Sequence, residues 1–254
     1  MRPGLPAGAF SSPGSGCMQL VEEPPLTPEL IRARHDAVAD RLRLAATAAG
    51  RDPDDFRIIA VTKGFDLSVL RAAWEAGLRA FGENRVQEAL PKVDALPDAE
   101  WHLVGHLQAN KARPAVRAFA ALHSIDSLDL LHRVDRIAAE EGRSPIGLLQ
   151  VNLSGDPARA GFEPDTVPAL AGALRGLIAV RVRGLMGIAP IGLSTADARR
   201  VFAALRRLRD VLQEGARIPL PELSMGMTAD AEAAVAEGAT LVRIGTAIFG
   251  PRPA

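Results

Sequence analysis

The chain has 254 residues, 30 basic and 30 acidic side chains, a formal net charge of zero and 48% hydrophobic residues. This is a globular composition, and its neutral balance excludes a nucleic-acid or anionic-membrane binder that works through bulk charge. A single cysteine, Cys17, excludes an internal disulfide framework and a multi-cysteine metal site, and the absence of tyrosine removes the phenol from any acid–base chemistry.

Residues 1–26, rich in Gly, Pro and Ser, read as a flexible tail. They carry no apolar run of the kind a signal peptide requires, and Met18 is an alternative start. No window reaches the roughly 18 apolar residues of a membrane span, so the expectation is a cytoplasmic protein. From Thr27 the pattern changes: Thr27-Pro28-Glu29 supplies a capping hydroxyl, a first-turn proline and an early acid, opening a helix that stops at Gly50. Short β-rich runs then alternate with helical ones. The strand candidates are Ile58–Val61, Arg79–Phe81, Trp101–Val104, Leu122–Ile125, Gly147–Val151, Val180–Ile188, Leu223–Met225 and Leu241–Ile244. Amphipathic stretches such as 66–77, 84–96, 127–142 and 195–213 separate them.

Strands alternating with helices imply a parallel sheet. Eight such units in one stretch, 27–254, with no linker to divide them, predict a single-domain (β/α)8 TIM barrel carrying an extra N-terminal helix. An open Rossmann-like sheet is the other fold considered, but no GxGxxG follows the first strand.

Active sites of such barrels lie at the C-terminal ends of the strands. The polar residues there are Thr62-Lys63 after the first strand, Glu83-Asn84 after the second, and Gly105-His106 with Gln108 and Lys111 after the third. The seventh strand runs into Ser224-Met225-Gly226-Met227-Thr228 and the eighth into Arg243-Ile244-Gly245-Thr246. Glycines there let the backbone approach an anion, the hydroxyls of Ser224, Thr228 and Thr246 supply donors, and the helix after Thr228 has free N–H groups. Each motif alone is equally a tight turn with a helix cap. Together, at the seventh and eighth strand ends of a barrel, they point to phosphate.

Lys63 is the sharper signal. Only Lys63, Lys92 and Lys111 are lysines, which leaves 27 of the 30 basic residues as arginine. A lysine retained at the mouth of an apolar barrel, where burial disfavours the ammonium, suits Schiff-base formation with an aldehyde, a task arginine cannot perform. A strand-end lysine reaching into solvent is the plain alternative. Lys111, at a helix start, reads as solvated, and Lys92, in a polar helix, as the blandest of the three. His102 and His106 have metal-ligand spacing only if they share a helix, and Trp-His-Leu-Val-Gly reads as strand and turn, so core or loop histidines are expected. The arginine-rich stretch 199–209 reads as a solvated helix face.

The ordered series Ala60-Val61-Thr62-Lys63, Phe81-Gly82-Glu83-Asn84-Arg85-Val86-Gln87-Glu88, Trp101-His102-Leu103-Val104-Gly105-His106-Leu107-Gln108, Ser224-Met225-Gly226-Met227-Thr228 and Val242-Arg243-Ile244-Gly245-Thr246 resembles the pyridoxal phosphate homeostasis protein family. That family is related to the N-terminal barrel of alanine racemase, and the match spans essentially all of 27–254. The resemblance implies pyridoxal 5′-phosphate (PLP) held as an internal aldimine on Lys63, with phosphate contacts around Ser224, Gly226, Thr228, Gly245 and Thr246. It further implies Arg243 facing the pyridine nitrogen and keeping it unprotonated, and Asn84 as a lesser contact.

Two departures stand out: Gly64-Phe65-Asp66 follows Lys63, and Arg159 replaces the lysine usual in the loop after the fifth strand. The implied role is storage or transfer of PLP, with apo-enzymes as recipients, no nucleic-acid or membrane partner and no turnover, in a monomer. The alternative is an amino-acid racemase, but related racemases use a tyrosine from a second domain as the opposing base. This chain has no tyrosine, and its end at Ala254, just after the eighth strand, leaves no such domain expected.

Overall fold

Runs such as Ile58-Ile59-Ala60-Val61 are apolar on both faces, as a strand must be when helices cover one side of a barrel wall and side chains fill the other. In the computed structural model, which describes Met1 and residues 26–252, these runs form eight parallel strands. They are β1 (Arg57–Val61), β2 (Ala80–Glu83), β3 (Glu100–Leu103), β4 (Ala121–Ile125), β5 (Ile146–Val151), β6 (Arg181–Gly187), β7 (Glu222–Ser224) and β8 (Leu241–Ile244). They close into one barrel in sequence order, with β1 paired to both β2 and β8. The expected (β/α)8 architecture is therefore present, with strand ends within one or two residues of those expected. The tail, Cys17 and Met18 lie outside the described residues.

The helices are α1 (Pro28–Ala48), α2 (Leu67–Glu75), α3 (Val86–Ala95), α4 (Ala112–Ala118), α5 (Leu128–Glu140), α6 (Ala171–Arg175), α7 (Thr195–Ala216), α8 (Ala231–Ala236) and α9 (Thr246–Phe249). Side-chain caps explain where the long ones begin. Thr27 Oγ1 accepts from Leu30 N in α1, Asp66 from Ser68 N and Val69 N in α2, Ser127 from Leu130 N in α5 and Ser194 from Asp197 N in α7. The additional helix α1 packs against α2, α8 and α9, where the barrel closes. Its buried stripe of Ile31, Val38, Leu42 and Ala46 covers that seam.

Two cores result. The larger, between wall and helices, contains Phe81, Trp101, Phe119, Phe202 and Phe249, all at most 2% exposed. The smaller, of Ile59, Leu148, Met186 and Leu241, fills the lumen. Ile59 is paired with Arg243 across the β1–β8 seam, so Arg243 occupies the same inward layer.

Candidate functional site

The C-terminal ends of β8, β1 and β2 stand side by side, and they carry the residues of most interest. At β1, Thr62 continues the ladder by donating its N–H to the Gly82 carbonyl at 3.0 Å and is fully buried. Lys63 is the next residue, half-buried, and Gly64 at φ +77° turns the chain away toward Asp66 and α2. A side chain at that step leaves the wall where the lumen opens, the place the sequence assigned to it.

Lys92 overturns the sequence reading. Far from being bland, its side chain is only 9% exposed, and its Nζ donates to Glu83 Oε1 at 2.7 Å and to the Thr62 carbonyl at 2.8 Å. Thr62 Oγ1 also donates to Glu83 Oε1, at 2.6 Å, and Glu83 is fully buried. Residues from α3, β2 and β1 thus lock together beneath the peptide that joins Thr62 to Lys63. Glu83, considered above only for its place at a strand end, is structural here. A charged lysine aligned with Val86 and Ala89 on the buried face of its helix, about one turn past the motif that ends at Glu88, is the one hint the sequence offers of this.

The β7 and β8 ends meet the expectations unevenly. Gly226 sits at φ +91°, and a Cβ there would lie 2.5 Å from Ala234 Cβ, so both backbone conformation and packing against α8 require glycine. Gly245 has a negative φ; a side chain there would be crowded by the approach of β8 to β1, where an added Cβ would stand 3.3 Å from the Val61 carbonyl oxygen. Thr246 opens α9 and is exposed, and Thr228 is half-buried in a turn. The helix expected directly after Thr228 begins later, at Ala231, with Asp230 at its start. Asp230 Oδ1 accepts from Met227 N at 2.6 Å, so an acid already engages one amide of this loop.

Ser224 points inward. Its hydroxyl is fully buried, 2.8 Å from His123 Nδ1 and 2.6 Å from Arg243 Nη1. It is part of the floor beneath the mouth, and an anion above would have to be met chiefly by backbone amides. Arg243, 5% exposed, also donates to the Ser224 carbonyl at 2.9 Å and through Nη2 to the Gly187 carbonyl at 3.0 Å. Burial brings its pKa down to about 10, against a smaller opposing pull from Asp230, so it remains a cation at neutral pH.

Asn84 is half-buried at the end of β2 and borders a cleft of about 330 Å³ shared with Arg85, Gln87, His106, Gln108 and Lys111. Lys111 is half-buried there rather than solvated. Arg159 lines a separate, smaller hollow of about 110 Å³ with Asn152 and Ser154 on the β5 loop. The two histidines of equal helical spacing part company. His102 lies buried on β3, while His106 is exposed and 3.1 Å from Asp126. Among the described residues no cluster of three or more metal-ligating side chains forms.

Comparison with known proteins places the whole barrel among relatives. The family model described as alanine racemase, N-terminal domain, matches residues 34–253. The pyridoxal phosphate homeostasis protein of Pseudomonas aeruginosa is 45% identical over 218 residues, 85% of this chain and 93% of that protein. That of Synechocystis sp. is 41% identical over 203 residues, 79% and 93% of the two chains. Among solved structures, PipY of Synechococcus elongatus PCC7942 with PLP bound is 46% identical with a TM-score of 0.73, covering 84% of this chain and all of PipY. Alanine racemase from Bartonella henselae, at 15% identity and a TM-score of 0.68, shares the fold, covering 90% of this chain and 60% of the racemase.

Proposed function

This chain belongs to the pyridoxal phosphate homeostasis protein family, and from that premise we propose that it binds PLP on Lys63 at the barrel mouth and stores it or hands it on. The observation that carries the reading is the placement of Lys63. It is a half-buried amine at the end of β1, next to the strand ends that bear Gly226, Arg243 and Gly245. The donor set fits the group. There is an amine for the aldehyde, and the loops at Gly226 and Gly245 offer backbone amides for a phosphate. Thr228 and Thr246 carry hydroxyls at the same strand ends, and a buried cation lies beneath.

When bound, the cofactor would supply an aldehyde, and Lys63 is the residue whose amine would hold it. Arg243 is the residue that biases the chemistry. A guanidinium that stays charged at neutral pH has only hydrogens to offer and no proton to give up, so a ring nitrogen facing it stays unprotonated. That weakens the ring as an electron sink and suits holding the cofactor over carbanion chemistry. Racemisation also needs a second base opposite Lys63, and the chain contains no tyrosine to serve. The reading is therefore a carrier without turnover of its own, acting as a monomer in the cytoplasm, with PLP-dependent apo-enzymes as recipients. Among the described residues no helix is long and apolar enough to cross a membrane.

The test is to load the purified protein with PLP, record its visible absorption, reduce with borohydride and identify the labelled peptide by mass. Label on Lys63, absent in Lys63→Ala, is the expected result. A protein that cannot be loaded, or is labelled elsewhere, defeats the assignment. Alanine racemisation at a dedicated enzyme's rate, lost in Lys63→Ala, defeats the carrier reading.

A further inference from the structure

A chain of polar side chains crosses the barrel interior, and cofactor attachment does not account for it. Its outer end is Glu100, at the start of β3, where Arg57 Nη1 donates to it at 3.0 Å. His102 Nε2 lies 3.1 Å from Glu100 Oε1, and His102 Nδ1 lies 2.9 Å from His123 Nε2. His123 Nδ1 meets the Ser224 hydroxyl at 2.8 Å, and Arg243 Nη1 donates to that hydroxyl at 2.6 Å. The path runs from the N-terminal face of β3, through β4 and across the lumen to β7 and β8, just below the mouth. His102, His123 and Ser224 are at most 1% exposed.

The two ends fix the direction of every hydrogen bond between them. Arg243 can only donate, and ionised Glu100 can only accept. Glu100 stays ionised because the His102 hydrogen bond, chiefly, holds its pKa at about 2. With both histidines neutral, one arrangement satisfies all four bonds. Arg243 donates to Ser224, Ser224 to His123 Nδ1, His123 Nε2–H to His102 Nδ1, and His102 Nε2–H to Glu100. Burial holds His123 neutral, its pKa well below the ordinary value. The rival arrangement, an imidazolium at His102 with His123 Nδ1–H donating to Ser224, leaves the serine hydrogen facing no acceptor among the described residues.

We propose that Glu100, His102 and His123 are positioning residues that hold Ser224 and the guanidinium of Arg243 in place under the cofactor, through a hydrogen-bond chain of fixed direction. This rests on the cofactor reading above and adds to it residues from the opposite end of the barrel. Arg243 has no carboxylate ion-pair partner among the described residues. The chain's other end is the Glu100 carboxylate, itself paired with Arg57, and hydrogen bonds that all run in one sense between the two polarise one another in a low-dielectric interior.

Two measurements test it. The first is imidazole nitrogen NMR of the unliganded protein, which has only five histidines. The expected spectrum shows a hydrogen on Nε2 and a bare Nδ1 in both His102 and His123 at neutral pH; a hydrogen on Nδ1 of either ring overturns the proposal. The second compares PLP affinity and the pH titration of the visible band between wild type and His123→Phe. Losing the support of a charged group should weaken affinity on the order of tenfold and move the titration, with Lys63 still the labelled residue. A folded His123→Phe whose affinity stays within about twofold of wild type, with an unmoved titration, overturns the positioning role. Should His123→Phe not fold, Glu100→Gln takes its place, with a smaller shift in the same direction expected and no shift overturning it. If the wild type itself takes up no PLP, the Lys63 assignment is what fails, and the nitrogen spectrum alone decides the chain's direction.

Discussion

Replacing Lys92 with methionine removes a cation whose partner has nowhere to go. Glu83 is fully buried, and after Lys92→Met its charge is met only by the Thr62 hydroxyl, which donates at 2.6 Å. The Thr62 carbonyl loses the nearer of its two donors as well, keeping only the Phe65 N–H at 3.2 Å. Breaking one side of a buried ion pair costs about 3–5 kcal/mol, because the remaining charge must stay desolvated. In a domain of this size each kcal/mol moves the melting temperature by about 2–4 °C, so the expected fall is roughly 6–20 °C. Urea unfolding of the wild type, Lys92→Met, Glu83→Gln and the double variant gives the full cycle. Glutamine keeps an acceptor for Thr62 while discarding the charge, so the double variant should return to within about 2 kcal/mol of wild type. A Lys92→Met variant within about 1 kcal/mol of wild type, or one whose loss Glu83→Gln does not offset, would refute the view that this pair is a desolvated lock behind Lys63. It would make Lys92 an ordinary surface lysine after all.

Gly226→Ala meets two penalties, a positive φ and a Cβ placed 2.5 Å from Ala234 Cβ, and should lose about 1–3 kcal/mol by thermal unfolding along with PLP affinity measured by titration. Acid stability has a defined sign. His123 is held neutral by burial, so the unfolded chain binds a proton there that the folded one does not, and stability falls as pH drops below about 6.5. The slope is up to about 1.4 kcal/mol per pH unit, and His123→Phe should abolish that first segment of the unfolding-midpoint profile. Glu100, with its pKa lowered to about 2, contributes stability that is present above about pH 4.5 and disappears only as pH falls toward 2. In Glu100→Gln the second, more acid segment should therefore flatten while the first remains.

Much of this molecule was legible along the chain. Alternating β-rich and amphipathic runs marked eight strand–helix units. Thr27 stands as the cap where a helix start reads, and the retention of lysine at 63 in an arginine-rich chain singled out the amine. These are local signals, in which a residue's type and its near neighbours decide the outcome. Side-chain direction inside a closed barrel is not local. Whether Ser224 faces the mouth or the floor depends on the register of β7 against β8 and on His123, which approaches from across the lumen. Nor could the sequence place Asp230 against the Met227 amide, since that contact depends on where α8 begins.

Lys92 is the clearest case. Its helix carries it to the back of β1, where Glu83 and the Thr62 carbonyl await it. Its near neighbours offer only the hint of an apolar helix face and do not announce a buried charge, because burial is a property of what packs around a residue. Sequence by itself determined the repeating units, and with them the fold and the strand end that presents Lys63. Only closure of the barrel decided which polar groups share the dry interior, since an unpaired charge or hydroxyl there is too costly to leave without a partner brought from a distant part of the chain.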